Sequence, residues 1–283
     1  MRFLRCLIRS LILICPCALC YGQVSFSSVH GERGYAALRG SLSVDLGQDW
    51  KLTPHVGYYR MSDSEQDEKG STSRYGAQLS YGVNDDISLF ANILWHPKAI
   101  GYVAVLYDVG AQWQPFYYWH GFKDPFVRLQ IGQGRYRSMV DNTGNPLGRP
   151  FRENDTHVLL TVGSNLSHWT LQSAWQKVLK YSEPLPADIS FSWAEIPYMS
   201  AVVQGFIKSA YALRVGYQSE YISPYAGIVH YQYAHRSQEA FAVLAGLKVQ
   251  LWGTSFLGGI EVFEPRREEN RRTFFSFSVE APL

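Results

Sequence analysis

After an apolar N-terminal stretch, apolar and polar residues alternate along the chain to its end. Between Ala36 and Leu46, for example, the even positions are apolar or small, whereas Arg39, Ser43 and Asp45 occupy odd positions. A β-strand turns alternate side chains to opposite faces, so this period of two residues predicts strands with one apolar and one polar face. Because no helical pattern of comparable length interrupts the series, the sequence predicts an all-β protein.

The lengths of the segments and of their connections indicate a membrane protein. Most alternating segments approach the roughly 9 to 11 residues that a tilted strand needs to cross a bilayer. The connections are alternately short, as at 84–86 and 253–254, and long and polar, as at 62–73, 138–155 and 180–197. Short turns on one side of the membrane and longer loops on the other are typical of outer-membrane β-barrels.

Four tryptophans favour a membrane barrel over a soluble β-sandwich. Trp50, Trp113, Trp169 and Trp252 each flank a connection on the side of the short turns, where membrane barrels have an aromatic girdle. The polar faces of the strands carry charged, glutamine and glycine residues, which suit a wet lumen behind an apolar outer face. The sequence therefore predicts a closed antiparallel transmembrane β-barrel.

The number of strands is expected to be even in such a barrel. One short strand near 24–28 and about thirteen further segments predict about fourteen strands, with twelve or sixteen as alternatives. Residues 181–206 leave the count open, because they are compatible with a folded loop around Trp193, an extra hairpin, or an overhang of the following strand.

The N-terminal segment has the layout of a secretory signal. Arg2, Arg5 and Arg9 precede an apolar stretch at 11–19, and small residues follow. The stretch is shorter than the about 20 residues that a bilayer-spanning helix needs. We expect a signal peptide at residues 1–22 and a single barrel domain at residues 23–283, exported to the outer membrane.

Cysteine usage and charge exclude several classes of protein. All four cysteines lie in the signal segment, so the mature chain has no thiol for a disulfide, a nucleophile or a metal site. Removal of the three signal arginines lowers the 26 basic residues to 23, against 24 acidic residues. No basic footprint for nucleic acid remains, and no nucleic-acid partner is expected.

Together these features resemble bacterial outer-membrane β-barrel proteins as a broad, porin-like class. Phe275, Phe277 and Val279 near the C-terminus are similar to the strand that the barrel assembly machinery recognises, although the chain ends in Leu283 rather than an aromatic residue. The resemblance implies an outer-membrane location, contact with outer-membrane lipid and lipopolysaccharide, and an encounter with the assembly machinery during biogenesis. The arginine-rich tract at 264–272 is either a contact for lipopolysaccharide phosphates or a hydrated loop.

The alternation also predicts which charged residues line the lumen. The basic ones outnumber the acidic Asp45, Asp108 and Glu261, and a basic excess in a narrow channel favours anions. We therefore expect a channel for small polar or anionic solutes, with a charge network that fills the interior as the alternative. The predicted basic lumen residues are Arg39, Lys51, Arg74, Arg128, Lys208, Arg214 and Lys248.

The sequence gives only weak indications of catalysis or of metal and cofactor binding. His235 and Ser237 resemble the His-x-Ser pair of outer-membrane phospholipases and lipid A deacylases, in which histidine activates the serine, but Gln238 stands where those families have asparagine. A chance surface pair is the simpler interpretation, and no enzyme activity is expected.

No metal site and no cofactor are expected, because metal and phosphate-loop motifs are missing from the sequence. A structural or assembly barrel with a plugged lumen is a third interpretation.

Overall fold

The structure, a computed structural model, describes residues 22–32, 34–63, 68–99, 102–115, 122–140, 146–181, 193–234, 239–264 and 271–282. The predicted signal peptide, apart from Gly22, lies outside the described residues, as do His235 and Ser237. Within the described ranges no helix has the length and apolarity required to cross a membrane.

Sixteen strands are present in the described part of the chain, and fourteen of them form the barrel. The barrel strands are β1 Gly22–Gly31, β2 Ala36–Gly47, β3 Trp50–Asp63, β4 Glu68–Gly82, β5 Ile87–Ala99, β6 Tyr102–Trp113, β7 Phe122–Val140, β8 Pro146–Leu166, β9 Trp169–Tyr181, β12 Ile207–Tyr217, β13 Ile222–Tyr233, β14 Glu239–Leu251, β15 Thr254–Glu264 and β16 Arg272–Pro282. The remaining two, β10 Trp193–Ala194 and β11 Val203–Gln204, pair with each other.

The sheet is antiparallel throughout and closes on itself. Neighbours in the chain are neighbours in the sheet, except that β9 pairs with β12, and β16 pairs with β1 from Gln23↔Pro282 to Gly31↔Phe274. Closure pairs the backbone groups of every barrel strand on both sides, which a strand in lipid requires. The prediction of a closed antiparallel barrel with fourteen strands is confirmed.

The outer face of the barrel is apolar and exposed, whereas the residues between these positions point into the barrel, where many of them are buried. Along β14, Phe241 and Val243 are exposed, while Ala242 and Leu244 are buried. Val109 in the middle of β6 keeps 62% of its surface exposed. Exposure of such a continuous apolar surface to water costs about 25 cal/mol per Å², whereas contact with lipid carries no such cost. The fold is therefore that of a transmembrane β-barrel.

One end of the barrel, which we call the turn end, carries the short connections. The turns at 48–49 and 252–253 have positive φ at both central residues, which matches the right-handed twist of the strands they join. The tryptophans predicted to form a girdle all lie at this end and are exposed, Trp252 to 94%. The first and last barrel residues, Gly22 and Pro282, lie there too.

At the opposite end, which we call the loop end, several strands extend further than the sequence predicted. The predicted loops at 62–73 and 138–155 are mostly strand, because β3, β4, β7 and β8 continue into them. With 21 residues at about 3.3 Å each, β8 is about 70 Å long, well beyond the thickness of a bilayer. Outside the membrane neither face must be apolar, so these extensions lack the alternation that marks the rest of each strand.

Residues 193–206, which we call the inward segment, fold into the barrel between β9 and β12. The pairs Trp193↔Gln204 and Ala194↔Val203 close a small hairpin, and half of the eight residues between them are buried. Of the alternatives for this region, a folded loop with a short hairpin is correct. An overhang of the following strand is wrong, because β12 begins only at Ile207.

Candidate functional site

The inward segment packs one side of its surface against an apolar part of the inner wall. The wall positions beside it on β12 and β14 are small residues, such as Ala212 and Ala242, which leave room for an additional layer of chain. Aromatic rings complete the contact near the loop end, where Tyr231 stacks on Phe263 at a centroid distance of 5.8 Å. The buried inward-segment residues in this cluster are Ile196, Met199, Ala201, Val202 and Val203.

Hydrogen bonds from the wall fix the backbone of the inward segment. The carboxylate of Glu261, only 3% exposed, accepts from the N–H of Ser200 at 2.5 Å and from the N–H of Ala201 at 3.1 Å. The N–H of Val202 donates to the hydroxyl oxygen of Tyr35 at 3.0 Å. Because a buried carboxylate is costly without such partners, this arrangement specifies one position for the segment.

Two arginines hold the other side of the segment. Arg39 Nη2 donates to the carbonyl oxygen of Ser200 at 2.7 Å, and Arg74 Nη2 lies 2.5 Å from Glu195 Oε1. Both guanidinium groups also lie about 5.5 Å from the ring centroid of Tyr59, within cation–π distance. Burial inside the barrel raises the pKa of Glu195, but the charges of Arg74 and Arg39 outweigh it and lower this pKa to about 2. Glu195 is therefore ionised at neutral pH.

The space left beside the inward segment forms a cavity of about 410 Å³, the loop-side cavity. Its wall combines apolar side chains, including Leu94, Leu106 and Phe206, with charged and amide side chains. A smaller cavity of about 360 Å³ adjoins it and shares Arg39, Arg74 and Glu195 with it. The polar residues of the loop-side cavity are Arg39, Arg74, Asn92, His96, Asp108, Gln130, Tyr136, Asp155, His157, Gln176, Tyr181 and Glu195.

The acidic residues of the loop-side cavity are held by hydrogen bonds. Asp108 accepts from Asn92 Nδ2 at 3.2 Å and from Gln130 Nε2 at 2.8 Å. Asp155 accepts from the hydroxyl of Tyr136 at 2.6 Å and from His157 Nδ1 at 2.8 Å. These bonds give the polar wall a fixed geometry.

A second cavity, of about 700 Å³, lies towards the turn end, and we call it the turn-side cavity. Amide and hydroxyl side chains dominate its wall, with one acidic and one basic residue among them. Its lining residues are Gln112, Gln114, Asp124, Phe126, Arg128, Gln130, Leu159, Thr161, Ser164, Asn165, Thr170, Gln172, Pro197, Tyr198 and Gln218.

The two cavities meet at a neck. Gln130 of β7, Leu159 of β8 and Pro197 of the inward segment line both of them. The cavities therefore lie in series along the barrel, and the three shared residues mark where a solute would pass from one to the other.

The predicted arginines of the lumen have partners inside the barrel. Arg39, Arg74 and the acidic Asp108 line the loop-side cavity, and Arg128 lines the turn-side cavity. The guanidinium carbon of Arg128 lies 4.0 Å from the ring centroid of Phe90. That of Arg214 lies 3.8 Å from the ring centroid of Tyr225.

The predicted lysines are placed differently. Lys51 and Lys248 lie near the turn end and are not among the residues that line the two cavities. Lys208 is exposed and is the extra residue of a β-bulge between the pairs Ile207↔Tyr233 and Ser209↔Gln232. The bulge interrupts the alternation, so that Ile207 is buried and lines the loop-side cavity. A lumen position for these lysines stays a prediction.

The lining of the two cavities carries no basic excess. Three arginines, Arg39, Arg74 and Arg128, face four carboxylates, of which only Asp108 was among the acidic residues expected in the lumen. Asp155 and Glu195 lie in the stretches 138–155 and 180–197, which the sequence assigned to connections, and Asp124 lies near the start of β7. The other three carboxylates are Asp124, Asp155 and Glu195.

No known protein family matches the sequence, and no characterised protein sequence matches it. Solved structures of outer-membrane proteins share its fold. A FadL homologue from Pseudomonas aeruginosa superimposes with a TM-score of 0.53 at 11% identity, over 93% of this chain and 89% of the other. A mutant of TodX, a monoaromatic hydrocarbon channel, superimposes with a TM-score of 0.51 at 9% identity, over 92% of this chain and 88% of the other. These similarities establish the outer-membrane β-barrel fold.

Proposed function

We propose that this protein is an outer-membrane channel that passes small polar solutes through the loop-side cavity, the neck and the turn-side cavity. The observation that carries the proposal is the serial arrangement of two polar-lined cavities that share Gln130, Leu159 and Pro197. A barrel with a purely structural role needs no such connected space. The similarity in fold to TodX, a hydrocarbon channel by its title, supports transport as the general role of the barrel.

Location and partners are part of the same proposal. Export by the predicted signal peptide would deliver the chain to the outer membrane, where its apolar belt contacts lipid. The barrel assembly machinery would recognise the C-terminal strand, which ends the barrel as β16. Lipopolysaccharide would meet the loop end, because the long strands project there.

Small polar solutes fit the lining better than anions do. An anion-selective channel needs basic side chains without compensating acids near the path. Here Arg74 pairs with Glu195, and the arginines that line the two cavities do not outnumber the carboxylates. The anion preference expected from the sequence is therefore not part of the proposal.

A plugged structural barrel is the second candidate, and the buried inward segment favours it. The two candidates differ at the neck. In a channel, added bulk at the neck obstructs flow, whereas in a plugged barrel the same change leaves the permeability at its low starting value.

Single-channel recording in planar bilayers, with a gel mobility shift on boiling as the check of folding, tests the proposal. We expect steady conductance from the purified protein, and a fall by about half or more in Leu159→Trp, because the indole fills the neck. Leu160→Trp is the matched control, since Leu160 lies on the opposite face of the same strand and its replacement should leave conductance unchanged. Absence of conductance from correctly folded protein would favour the plugged barrel.

A further inference from the structure

The turn-side cavity has an unusual composition for the inside of a charged barrel. Five glutamines and one asparagine line it, together with the hydroxyls of Thr161, Ser164 and Thr170. Asp124 and Arg128 are the only charged residues among its described lining, and their charges oppose each other. The wall therefore offers many neutral donors and acceptors and no net charge. The amide residues are Gln112, Gln114, Gln130, Asn165, Gln172 and Gln218.

The hydrogen bonds within this wall use only some of the donors and acceptors of its side chains. Gln112 Nε2 donates to Gln114 Oε1 at 2.9 Å, and Asn165 Oδ1 accepts from Thr170 Oγ1 at 3.1 Å and from Gln218 Nε2 at 3.4 Å. Each amide has two donor hydrogens and an acceptor oxygen with two lone pairs. Donors and acceptors of both kinds therefore remain available, arranged by the bonds already made.

Two aromatic side chains lie in the same cavity. Phe126 comes from β7, and Tyr198 comes from the inward segment, where it adopts a positive φ of 66°. For a residue other than glycine this backbone conformation is unfavourable, and such positions concentrate at functional sites. The strained backbone at Tyr198 sets an aromatic ring against the amide-rich wall, next to Pro197 of the neck.

The chemistry that matches this wall is a neutral solute with several hydroxyl groups. Adjacent hydroxyls both donate and accept, as amide groups do, and the C–H surface of a compact polyol can contact an aromatic ring. The charges of Asp124 and Arg128 cancel in sum, so the cavity offers an ion no net attraction. The volume of about 700 Å³ lies within the roughly 300–1,000 Å³ typical of small-molecule sites.

We infer that the turn-side cavity binds neutral polyhydroxylated solutes, such as sugars or polyols, on their way through the channel. The inference rests on the proposed function, because it names the solute class of that channel. It also identifies Gln172, for which no internal hydrogen bond occurs among the described contacts, as a residue that determines specificity.

The test is a solute-block experiment with the full chain in planar bilayers. Glucose or maltose added on the turn-end side is expected to reduce the potassium chloride current with saturable concentration dependence. Ethylene glycol oligomers of similar size lack adjacent hydroxyls and should reduce it only slightly and without saturation. We expect Gln172→Met to weaken the sugar block about three- to tenfold, as for the loss of one or two hydrogen bonds.

Gln176→Met is the matched control. Gln176 lies on the same face of the same strand as Gln172 but lines the loop-side cavity, so its replacement should leave the sugar block unchanged. A block that responds to Gln176→Met and not to Gln172→Met would overturn the assignment of the site. Equal block by sugars and by the glycol oligomers would overturn the solute class.

These outcomes are distinct from failure of the proposed function. A conducting barrel without sugar block leaves the channel in place and removes the inference. If the folded barrel does not conduct, the channel proposal fails, and titration calorimetry of the detergent-solubilised protein with maltose decides the site separately. Binding weakened by Gln172→Met would support the site, and absence of binding would overturn it.

Discussion

Glu195 Oε1 lies 2.5 Å from Arg74 Nη2, and this ion pair joins the inward segment to the wall of the barrel. Glu195 keeps 48% of its side-chain surface exposed to the interior, whereas the Arg74 side chain is 9% exposed. The pair therefore links the inward segment to an arginine that is buried in the wall. Its strength should influence how often the segment leaves its position.

We expect Glu195→Gln to make the open channel noisier. Loss of the charge should weaken attachment of the segment by about 1 kcal/mol, the upper end for partly exposed pairs. Detached states would then be populated about fivefold more often. Single-channel current noise measures this directly. Glu264→Gln is the control, because Glu264 pairs with Arg271 at the exposed loop end, 3.9 Å away, and should leave the noise unchanged.

The same ion pair predicts an acid dependence. A carboxylate whose pKa is lower in the folded protein than its ordinary 4.5 stabilises the fold above that value, and the contribution is lost as the pH falls towards the folded pKa. With a folded pKa of about 2 for Glu195, current noise from this source should stay constant at neutral and weakly acidic pH and increase only below pH about 4. The increase should be missing in Glu195→Gln, and a pH-dependent difference between the two proteins near neutrality would contradict this account.

Pro197 at the neck should be accessible to water-soluble reagents. Residues 23–283 contain no cysteine, so Pro197→Cys introduces a unique thiol into a chain that has lost the predicted signal peptide. We expect a small charged methanethiosulfonate reagent to modify it and to reduce conductance, because Pro197 lines both cavities. Leu160→Cys, on the lipid-facing side of β8, should resist the same reagent. Equal reactivity of the two thiols would show that the neck is not the water-filled path.

The apolar belt predicts how the barrel responds to charge on its outer face. Val109→Arg should lower the free energy of unfolding by about 2–4 kcal/mol, the range for a charge near the middle of the bilayer. Gln112→Arg, three positions along the same strand and inside the turn-side cavity, should change it much less. Urea unfolding in lipid vesicles gives both values, and a similar loss for the two variants would contradict the assignment of the faces.

The fold was predictable because lipid imposes one simple rule on every strand. Outward positions such as Val109 and Phe241 must be apolar over the whole thickness of the membrane, so the period of two residues survives in each segment. The strand extensions at 138–155 are not in lipid and carry no such rule. The sequence therefore predicts a loop there, whereas the register from Arg135↔Asn154 to Val140↔Pro146 continues the sheet.

The interior was less predictable because part of its wall is apolar and is covered by the inward segment. Tyr231 and Tyr233 of β13 face inward and are buried, and the register between β13 and β14 is unbroken. Apolar residues at inward positions, from Ala210 and Ala212 to Phe263, were the available signal that a segment of chain covers the wall there. Alternation indicates which face of the sheet carries a residue and not which group lies opposite it. The partners of Arg39 and Glu261 could therefore not be predicted from the sequence.

Both attachments of the inward segment to the barrel lie at the same rim. Strand β9 ends at Tyr181 and β12 begins at Ile207, both at the loop end, and the Tyr181 hydroxyl donates to the Ile207 carbonyl at 2.6 Å. Because both chain connections of the segment start from the loop end, a force directed towards that end would draw the segment out of the lumen and widen the passage.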